Sequence, residues 1–324
     1  MTCLPNPSRR KALGLIGATL VLPRAVFAGG IETISGTAFG TYWRISAPAG
    51  GDIARLAPRI DALFAAIDLQ FSPWRTDSAI SRFNAGPAGV QAADSALIEV
   101  TEAALEIADQ SAGAFDPTVG PLVARWGFGP IDQGGAPDWR GLSVEPSGLT
   151  KMRADLTLDL CGIAKGWALD RATDLAREAG FESLLLDLGG EFIAIGRHPD
   201  GRDWRLAVEA PRPSQPAAAA LRLPDGAAAA TSGMRAQSYS LNGRFYSHII
   251  DPDTQEPAAG ALRSVTVVAS DASTADGWAT ALCAAGVAAG PALADIQDIA
   301  ALFLIDEHGA LREVRTGSIA KLIL

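Results

Sequence analysis

Thr157–Asp170 reads TLDLCGIAKGWALD. A strand-like run carrying Asp159 breaks at Gly162, and Lys165 opens a helical pattern that continues to about Gly180. A strand, a turn of small residues and a helix start bearing a lysine together make a phosphate cradle, because free backbone N–H groups and the helix dipole both favour an anion there. The unit contains neither G-x-G-x-x-G nor G-x-x-x-x-G-K-[ST], so it points to a nucleotide site of another kind. The plainer alternative is a strand–helix connection whose glycine only permits close packing.

Before this unit, Ile31–Ser35 and Tyr42–Ser46 alternate like paired strands across the glycine-containing link 36–41. Apolar residues three and four apart predict helices over 53–69, over 96–111 behind Asp94, and over 119–126. Thr76-Asp77-Ser78 reads as the cap of a short helix ending at Phe83. Residues 127–155 read as loop with short strands, and 211–219 as a Pro/Ala-rich surface connection. After the unit, Ser183–Leu188, Phe192–Ile195 and Trp204–Ala210 follow one another through short turns, so much of the sheet is expected to be antiparallel. Asn242-Gly243 signals a hairpin, Val265–Ala269 and Ala301–Ile305 read as strands, and Ala275–Ala285 as helix. Helices grouped with antiparallel strands indicate an α+β fold.

The chain has 324 residues, 48% of them hydrophobic, enough for a large core. Ser8-Arg9-Arg10-Lys11 precedes a short, weakly apolar run, Gly14–Leu22, and then Val26-Phe27-Ala28. This is the twin-arginine export pattern with a small-residue cleavage site, so 1–28 is expected to be a signal peptide and 29–324 the mature domain, located in the periplasm. The run is too short and interrupted for a membrane span. Removing 1–28 takes away four basic residues and no acids, which moves the formal charge from −9 to −13. An acidic body without a basic cluster argues against nucleic acid as a partner. Two cysteines, Cys161 and Cys283, remain in the mature chain and make no disulfide framework.

Several residues carry candidate chemistry. Asp276 and Thr280 are four apart on a helix, so both oxygens leave from one face. With a nearby backbone carbonyl they form an all-oxygen set suited to Mg²⁺; alternatively Asp276 caps its helix and Thr280 packs inward. His248 ends a strand ahead of Ile249-Ile250-Asp251-Pro252, where it reads either as a general base or as a satisfied core histidine. Phe39 and Trp74 are loop aromatics able to stack on a planar ligand. Asp116 and Asp159 are placed either to accept hydrogen bonds from a ligand or to cap turns.

Taken together, GAFDPTVGPLVARWGFGP (113–130), LDLCGIAKG (158–166), LLLDLGGE (184–191), SHIIDP (247–252) and ADGWATA (275–281) closely resemble the FAD:protein FMN transferase family, the ApbE-type proteins. The resemblance spans about 31–304. It implies a two-lobed, T-fold-like α+β architecture with FAD in a cleft between the lobes. It also implies Mg²⁺-dependent transfer of FMN from FAD to a threonine of a target protein, with release of AMP. By position, Phe39 and Trp74 would flank the isoalloxazine, and Ala114, Phe115 and Asp116 would line the flavin site. Asp159, Lys165 and Ile250 would contact FAD, and Gly162, Asp276 and Thr280 would hold Mg²⁺. His248 would take the proton from the acceptor threonine.

A twin-arginine signal in place of a lipoprotein signal resembles the NosX branch, associated with nitrous oxide reductase maturation. The implied acceptor is then the periplasmic domain of a membrane-bound NosR-type flavoprotein. Na⁺-pumping or Rnf-type subunits carrying a Ser/Thr-Gly-Ala-Thr-like motif are the other candidates. Two rival functions use the same residues, a non-catalytic FAD carrier and an Mg²⁺-dependent FAD pyrophosphatase. The sequence departs from the family pattern at Gln255, where glycine is usual, and at Cys161 and Met234.

Overall fold

The computed structural model describes residues 30–211, 217–234, 237–241, 244–307 and 309–324. The expected signal peptide, the Asn242-Gly243 turn, His308 and part of the 211–219 connection lie outside the described residues.

In chain order the first half contains β1 (Ile31–Ala38), β2 (Thr41–Pro48), α1 (Ala57–Phe71), α2 (Ala79–Ala85), β3 (Gly89–Ala92), α3 (Ser95–Gln110), α4 (Gly120–Arg125), β4 (Leu142–Glu145) and β5 (Gly148–Lys151). The middle holds α5 (Ala164–Glu178), β6 (Leu184–Leu188), β7 (Glu191–Ile195), β8 (Trp204–Val208), β9 (Ala219–Leu223) and β10 (Ala228–Gly233). The last part holds β11 (Ser238–Leu241), β12 (Arg244–Ser247), β13 (Ile250–Asp251), β14 (Glu256–Pro257), β15 (Leu262–Ala269), α6 (Ala272–Ile296), β16 (Ala300–Glu307) and β17 (Ala310–Thr316).

Eight strands form the main sheet in the order β1-β2-β6-β7-β10-β15-β16-β17. Each of its neighbouring pairs runs antiparallel, so the α+β expectation holds. Both faces are covered, and the strand sequences record it. In β16, Ala301, Phe303 and Ile305 join a core that also contains residues of α1, α3, α5 and α6. Ala300, Leu302 and Leu304 join a smaller core with β8 and β9 on the opposite face. A period-2 strand buried on both sides reads as one continuous apolar run, as β16 does.

The glycine-containing link after Ser35 is much tighter than the sequence reading. The ladder continues to the pair Ala38–Thr41, leaving a two-residue turn. Phe39 (φ 51°) and Gly40 (φ 73°) both occupy the left-handed region, as the type I′ hairpin that matches strand twist requires. Gly189 and Gly190 make a second such turn between β6 and β7, with φ of 63° and 105°. A Cβ on Gly189 would lie 2.7 Å from the Thr41 methyl, so the two turns pack side by side.

Residues 156–160 correct another expectation, because they are extended but belong to no strand. A side chain takes the place of the neighbouring strand: Asn84 accepts from Leu158 N–H at 2.7 Å and donates to its carbonyl at 2.9 Å. Lys151, fully buried, donates to the carbonyls of Asn84, Ala154 and Leu156 at 2.9, 3.0 and 3.1 Å. Burial lowers its pKa, and those three carbonyls hold the loop that leads into the unit.

The helix after that unit, α5, packs directly on α6. A Cβ on Gly166 would sit 2.1 Å from the Ala272 carbonyl oxygen and 2.8 Å from Asp276 Cβ. One turn later, Asp170 accepts the N–H groups of Ala272 and Ser273 at 2.7 and 2.9 Å. It thereby caps the start of α6 alongside the helix's own cap, Asp271. By length and composition α6 could cross a membrane, but it is packed against α3, α5, β10 and β15 as the central core helix. It runs well past the expected Ala285, with a non-helical residue at Gly286 (φ 72°).

Two measurements test this crossing. Gly166→Ala gains about 1 kcal/mol of helix propensity. It also forces an overlap that no flexible side-chain end can relieve, at a cost of about 3 kcal/mol, so urea unfolding is expected to show a net loss of about 2 kcal/mol; unchanged stability would contradict the close approach. Burial raises the Asp170 pKa from 3.8 to about 6, against the two backbone donors. The folded protein therefore binds this proton more tightly than the unfolded chain, and the stability difference is largest at low pH and is lost as pH rises through about 6. The melting-temperature difference between wild type and Asp170→Asn should accordingly change between pH 4 and 7, and a pH-independent difference would refute this.

Candidate active site

The α5–α6 crossing brings together three ionisable side chains, Lys165, Glu191 and Asp276. Lys165, in the first turn of α5, pairs with Glu191 at the start of β7 and lies 3.9 Å from Asp276 Oδ1. Both carboxylate side chains are almost completely buried. Burial works against the Lys165 charge, but Asp276 and Glu191 outweigh it and raise the lysine above its ordinary range. Burial pushes Glu191 up to about 7 against the pull of Lys165. It pushes Asp276 up as well, against Lys165 and the Gly166 N–H.

Asp276 Oδ2 accepts the Gly166 backbone N–H at 3.0 Å. One amide of the α5 start, expected to face a ligand anion, is therefore spent on a carboxylate of the protein itself. Asp276 in turn keeps only Oδ1 for a further partner. One turn on, Thr280 Oγ1 lies 3.3 Å from the Gly162 carbonyl oxygen and 3.2 Å from Ser232 Oγ. Gly162 is held close, since a Cβ there would meet Phe115 at 3.0 Å and the Thr280 methyl at 3.1 Å.

Of the three oxygen groups expected to hold Mg²⁺, Thr280 Oγ1 and the Gly162 carbonyl are thus in contact and Asp276 lies one helical turn before Thr280; an all-oxygen set with a single carboxylate fits that ion, which fills its shell with water and phosphate. Among the described residues, no group of three or more His, Cys, Asp or Glu side chains offers a self-sufficient metal centre.

The expected flavin residues occupy varied settings. Trp74 is 61% exposed in the loop after α1. Phe39 sits in its hairpin turn with its ring centroid 5.4 Å from that of Phe64. Phe115 is buried against Gly162 and supports the site from behind, beside half-buried Ala114. Asp116 closes a turn, its Oδ1 accepting from Thr118 N–H at 2.7 Å and Thr118 Oγ1 at 2.5 Å. Asp159 accepts the Cys161 N–H at 3.0 Å and donates its own N–H to Pro117 at 2.7 Å. Both aspartates thus serve as turn formers in this structure; burial raises their pKa values. Ile250 is buried in β13.

His248 follows β12 directly, opposite Gln237. The Gln237 carbonyl accepts the His248 backbone N–H at 3.1 Å and faces Nδ1 at 3.2 Å. A carbonyl can only accept, so Nδ1 carries the hydrogen and Nε2 keeps the lone pair. Burial lowers the imidazole pKa, the Gln237 contact opposes this, and the Lys165 charge lowers it further. The histidine is therefore neutral near pH 7, as a base needs to be. Its ring meets Phe128 edge-on at 6.4 Å. From Phe128 a stack of rings continues through Tyr239, Tyr246 and Trp126 at 5.3, 5.2 and 5.6 Å.

This stack ties the β11–β12 hairpin to the α4 region, and Trp126 Nε1 also donates to the Gln255 carbonyl at 3.1 Å. Gln255 has φ 59°, the left-handed conformation that favours glycine. The sequence departure at this position thus keeps the glycine backbone shape. Met234 and Cys283 are buried and Cys161 is exposed. A separate cavity of about 260 Å³, lined by Glu99, Trp167, Asp170 and Asp271, lies further along α5 and contains none of the expected ligands. Glu191 escaped the sequence reading, although the quoted LLLDLGGE ends on it.

A model of the ApbE family matches residues 39–303. A FAD:protein FMN transferase of Vibrio cholerae serotype O1 is 33% identical over 305 residues, which cover 88% of this chain and 90% of the relative. The FAD:protein FMN transferase of Escherichia coli strain K12 is 32% identical over 285 residues, 82% of this chain and 81% of the relative. Among solved structures, the flavin transferase ApbE from Vibrio cholerae superposes with a TM-score of 0.81 at 32% identity, covering 90% of this chain and 99% of that one. The apo flavinyl transferase ApbE of Pseudomonas stutzeri has the same TM-score at 34% identity, covering 90% and 96%. The chain, in sequence and in fold, belongs to the ApbE family.

Proposed function

We propose that the α5–α6 site transfers FMN from FAD to the hydroxyl of a threonine in a target protein and releases AMP, with Mg²⁺ required. The observation that carries this reading is the pairing of Lys165 with Asp276 Oδ1 and of Thr280 Oγ1 with the Gly162 carbonyl across the α5–α6 crossing, Asp276 and Thr280 being one turn apart on α6. Flavin transfer from FAD to a protein is the activity that the names of the curated relatives state.

FAD joins FMN to AMP through a diphosphate. Attack by the threonine oxygen on the FMN-side phosphorus forms the new P–O bond, and the P–O bond to AMP breaks. His248 Nε2 takes the hydroxyl proton, while Nδ1–H, turned to the Gln237 carbonyl, holds the ring in position. Lys165, fixed between two carboxylates, presents positive charge to the diphosphate and the departing AMP oxygen. Asp276, Thr280 and the Gly162 carbonyl would hold the Mg²⁺, which when bound neutralises diphosphate charge. Phe39 and Trp74 would lie against the isoalloxazine, with Ala114, Phe115 and Asp116 shaping its pocket. Asp159 and Ile250 would meet the rest of the dinucleotide.

We also assign the mature chain, from residue 29, to the periplasm on the basis of the twin-arginine segment. Its acceptor would be a periplasmic respiratory flavoprotein domain bearing a Ser/Thr-Gly-Ala-Thr-like motif, of the NosR type served by the NosX branch. A FAD carrier would need no general base at His248, and a pyrophosphatase would put water where the threonine hydroxyl stands.

His248→Ala should bind FAD as wild type does and lose about 10²–10⁴-fold in transfer rate, read as flavin fluorescence of the acceptor after denaturing electrophoresis. Near-normal transfer by His248→Ala would remove the base from the mechanism. Asp276→Ala should abolish the fluorescent acceptor band, as should EDTA; a band that survives both would sink the metal requirement.

A further inference from the structure

Two cations have a claim on a single oxygen. Asp276 Oδ2 accepts the Gly166 N–H, which leaves Oδ1 the less engaged oxygen of that carboxylate and the one better placed to take a metal ion. The Lys165 ammonium is 3.9 Å from this same Oδ1, inside Coulombic range but beyond hydrogen-bond contact. The ammonium is received instead by Glu191, through Oε1. Glu191 is 3% exposed, and its Oε2 has no hydrogen-bond partner in the structure. Among the described residues, no salt bridge other than the one to Lys165 engages this side chain. A buried carboxylate with one oxygen unpaired carries a desolvation cost that its contact with Lys165 must offset.

We propose that Glu191 is a positioning residue that draws Lys165 off Asp276 Oδ1, so that a divalent cation can take that oxygen while the ammonium stays directed at the substrate phosphates. This rests on the metal-dependent reading above. Without the Glu191 charge, the ammonium moves onto the nearest remaining carboxylate oxygen and competes with the metal there. The backbone favours the arrangement, since Glu191 follows the Gly189-Gly190 turn and opens β7, a rigid base for the arm. Glu191 acts on the metal site through Lys165, and that route separates it from a carboxylate that only adds negative charge nearby. A direct electrostatic effect of Glu191 would persist, undiminished, once Lys165 is gone.

The test is a double-mutant cycle on the full mature chain without FAD or acceptor, with Mn²⁺ as the probe and free Mn²⁺ read by electron paramagnetic resonance. Glu191→Gln keeps the shape and removes the charge, and is expected to weaken Mn²⁺ binding about tenfold. Glu191→Asp restores the charge and should recover much of the affinity. In a Lys165→Met background, Glu191→Gln should change Mn²⁺ affinity less than about twofold, because distant or uncoupled changes add whereas this one is routed through Lys165. Equal weakening in both backgrounds, or none in either, would overturn the proposal. Asp276→Asn separates it from the underlying metal reading. Mn²⁺ binding that survives Asp276→Asn means the metal site itself is misplaced. Binding lost in Asp276→Asn but indifferent to Glu191→Gln removes only the role given to Glu191.

Discussion

A buried carboxylate on one helix, accepting a backbone N–H from the start of another, is the contact on which the site depends. Asp276 Oδ2 and Gly166 N–H join α6 to α5 across 110 positions of sequence. The absence of a side chain on Gly166 lets the two backbones approach closely enough for it. The same contact fixes which Asp276 oxygen stays open, how far Lys165 sits from it, and where Thr280 falls relative to the Gly162 carbonyl. Asp170 repeats the connection one turn along, so the crossing has two tethers. In a low-dielectric interior such charges cannot be arranged loosely, because each unpaired one carries a large desolvation penalty. The precision of the site follows from that penalty, and phosphoryl transfer, which relies on positioning and charge more than on covalent chemistry, suits a site built this way.

His248 is positioned by different means. It stands at the open end of a short hairpin, and its tautomer is set by one carbonyl, Gln237. The hairpin is steadied by ring stacking from Tyr239 and Tyr246 to Phe128 and Trp126. His248 thus follows a partly exposed hairpin, whereas Lys165, Glu191 and Asp276 meet at the buried α5–α6 crossing. That division matches the proposed reaction, in which FAD is held rigidly and the second substrate is a protein.

Much of this was legible in the sequence where a local signal carries the information. The α+β class, the caps at Ser78 and Asp94 and the i, i+4 pair Asp276–Thr280 all follow from short-range pattern. What could not be read came from long-range partners. The run ahead of Gly162 looked like a strand because its apolar pattern is strand-like, yet Asn84 supplies the partner hydrogen bonds, from 74 positions away. The link after Ser35 looked loose because Phe39 gave no sign that it would accept a positive φ. Gly166 N–H seemed free for a ligand because nothing local reveals that Asp276 reaches it. Glu191 was overlooked because its significance lies in Lys165, which is 26 positions earlier.

The central claim is that the phosphorus of FMN ends on a protein oxygen and not on water. The direct measurement incubates the mature chain with FAD, Mg²⁺ and an acceptor domain, and follows AMP, free FMN and acceptor mass in one sample. The account predicts one AMP per acceptor modified, with FMN on threonine and no free FMN accumulating. AMP released with an equal amount of free FMN and an unmodified acceptor would contradict it.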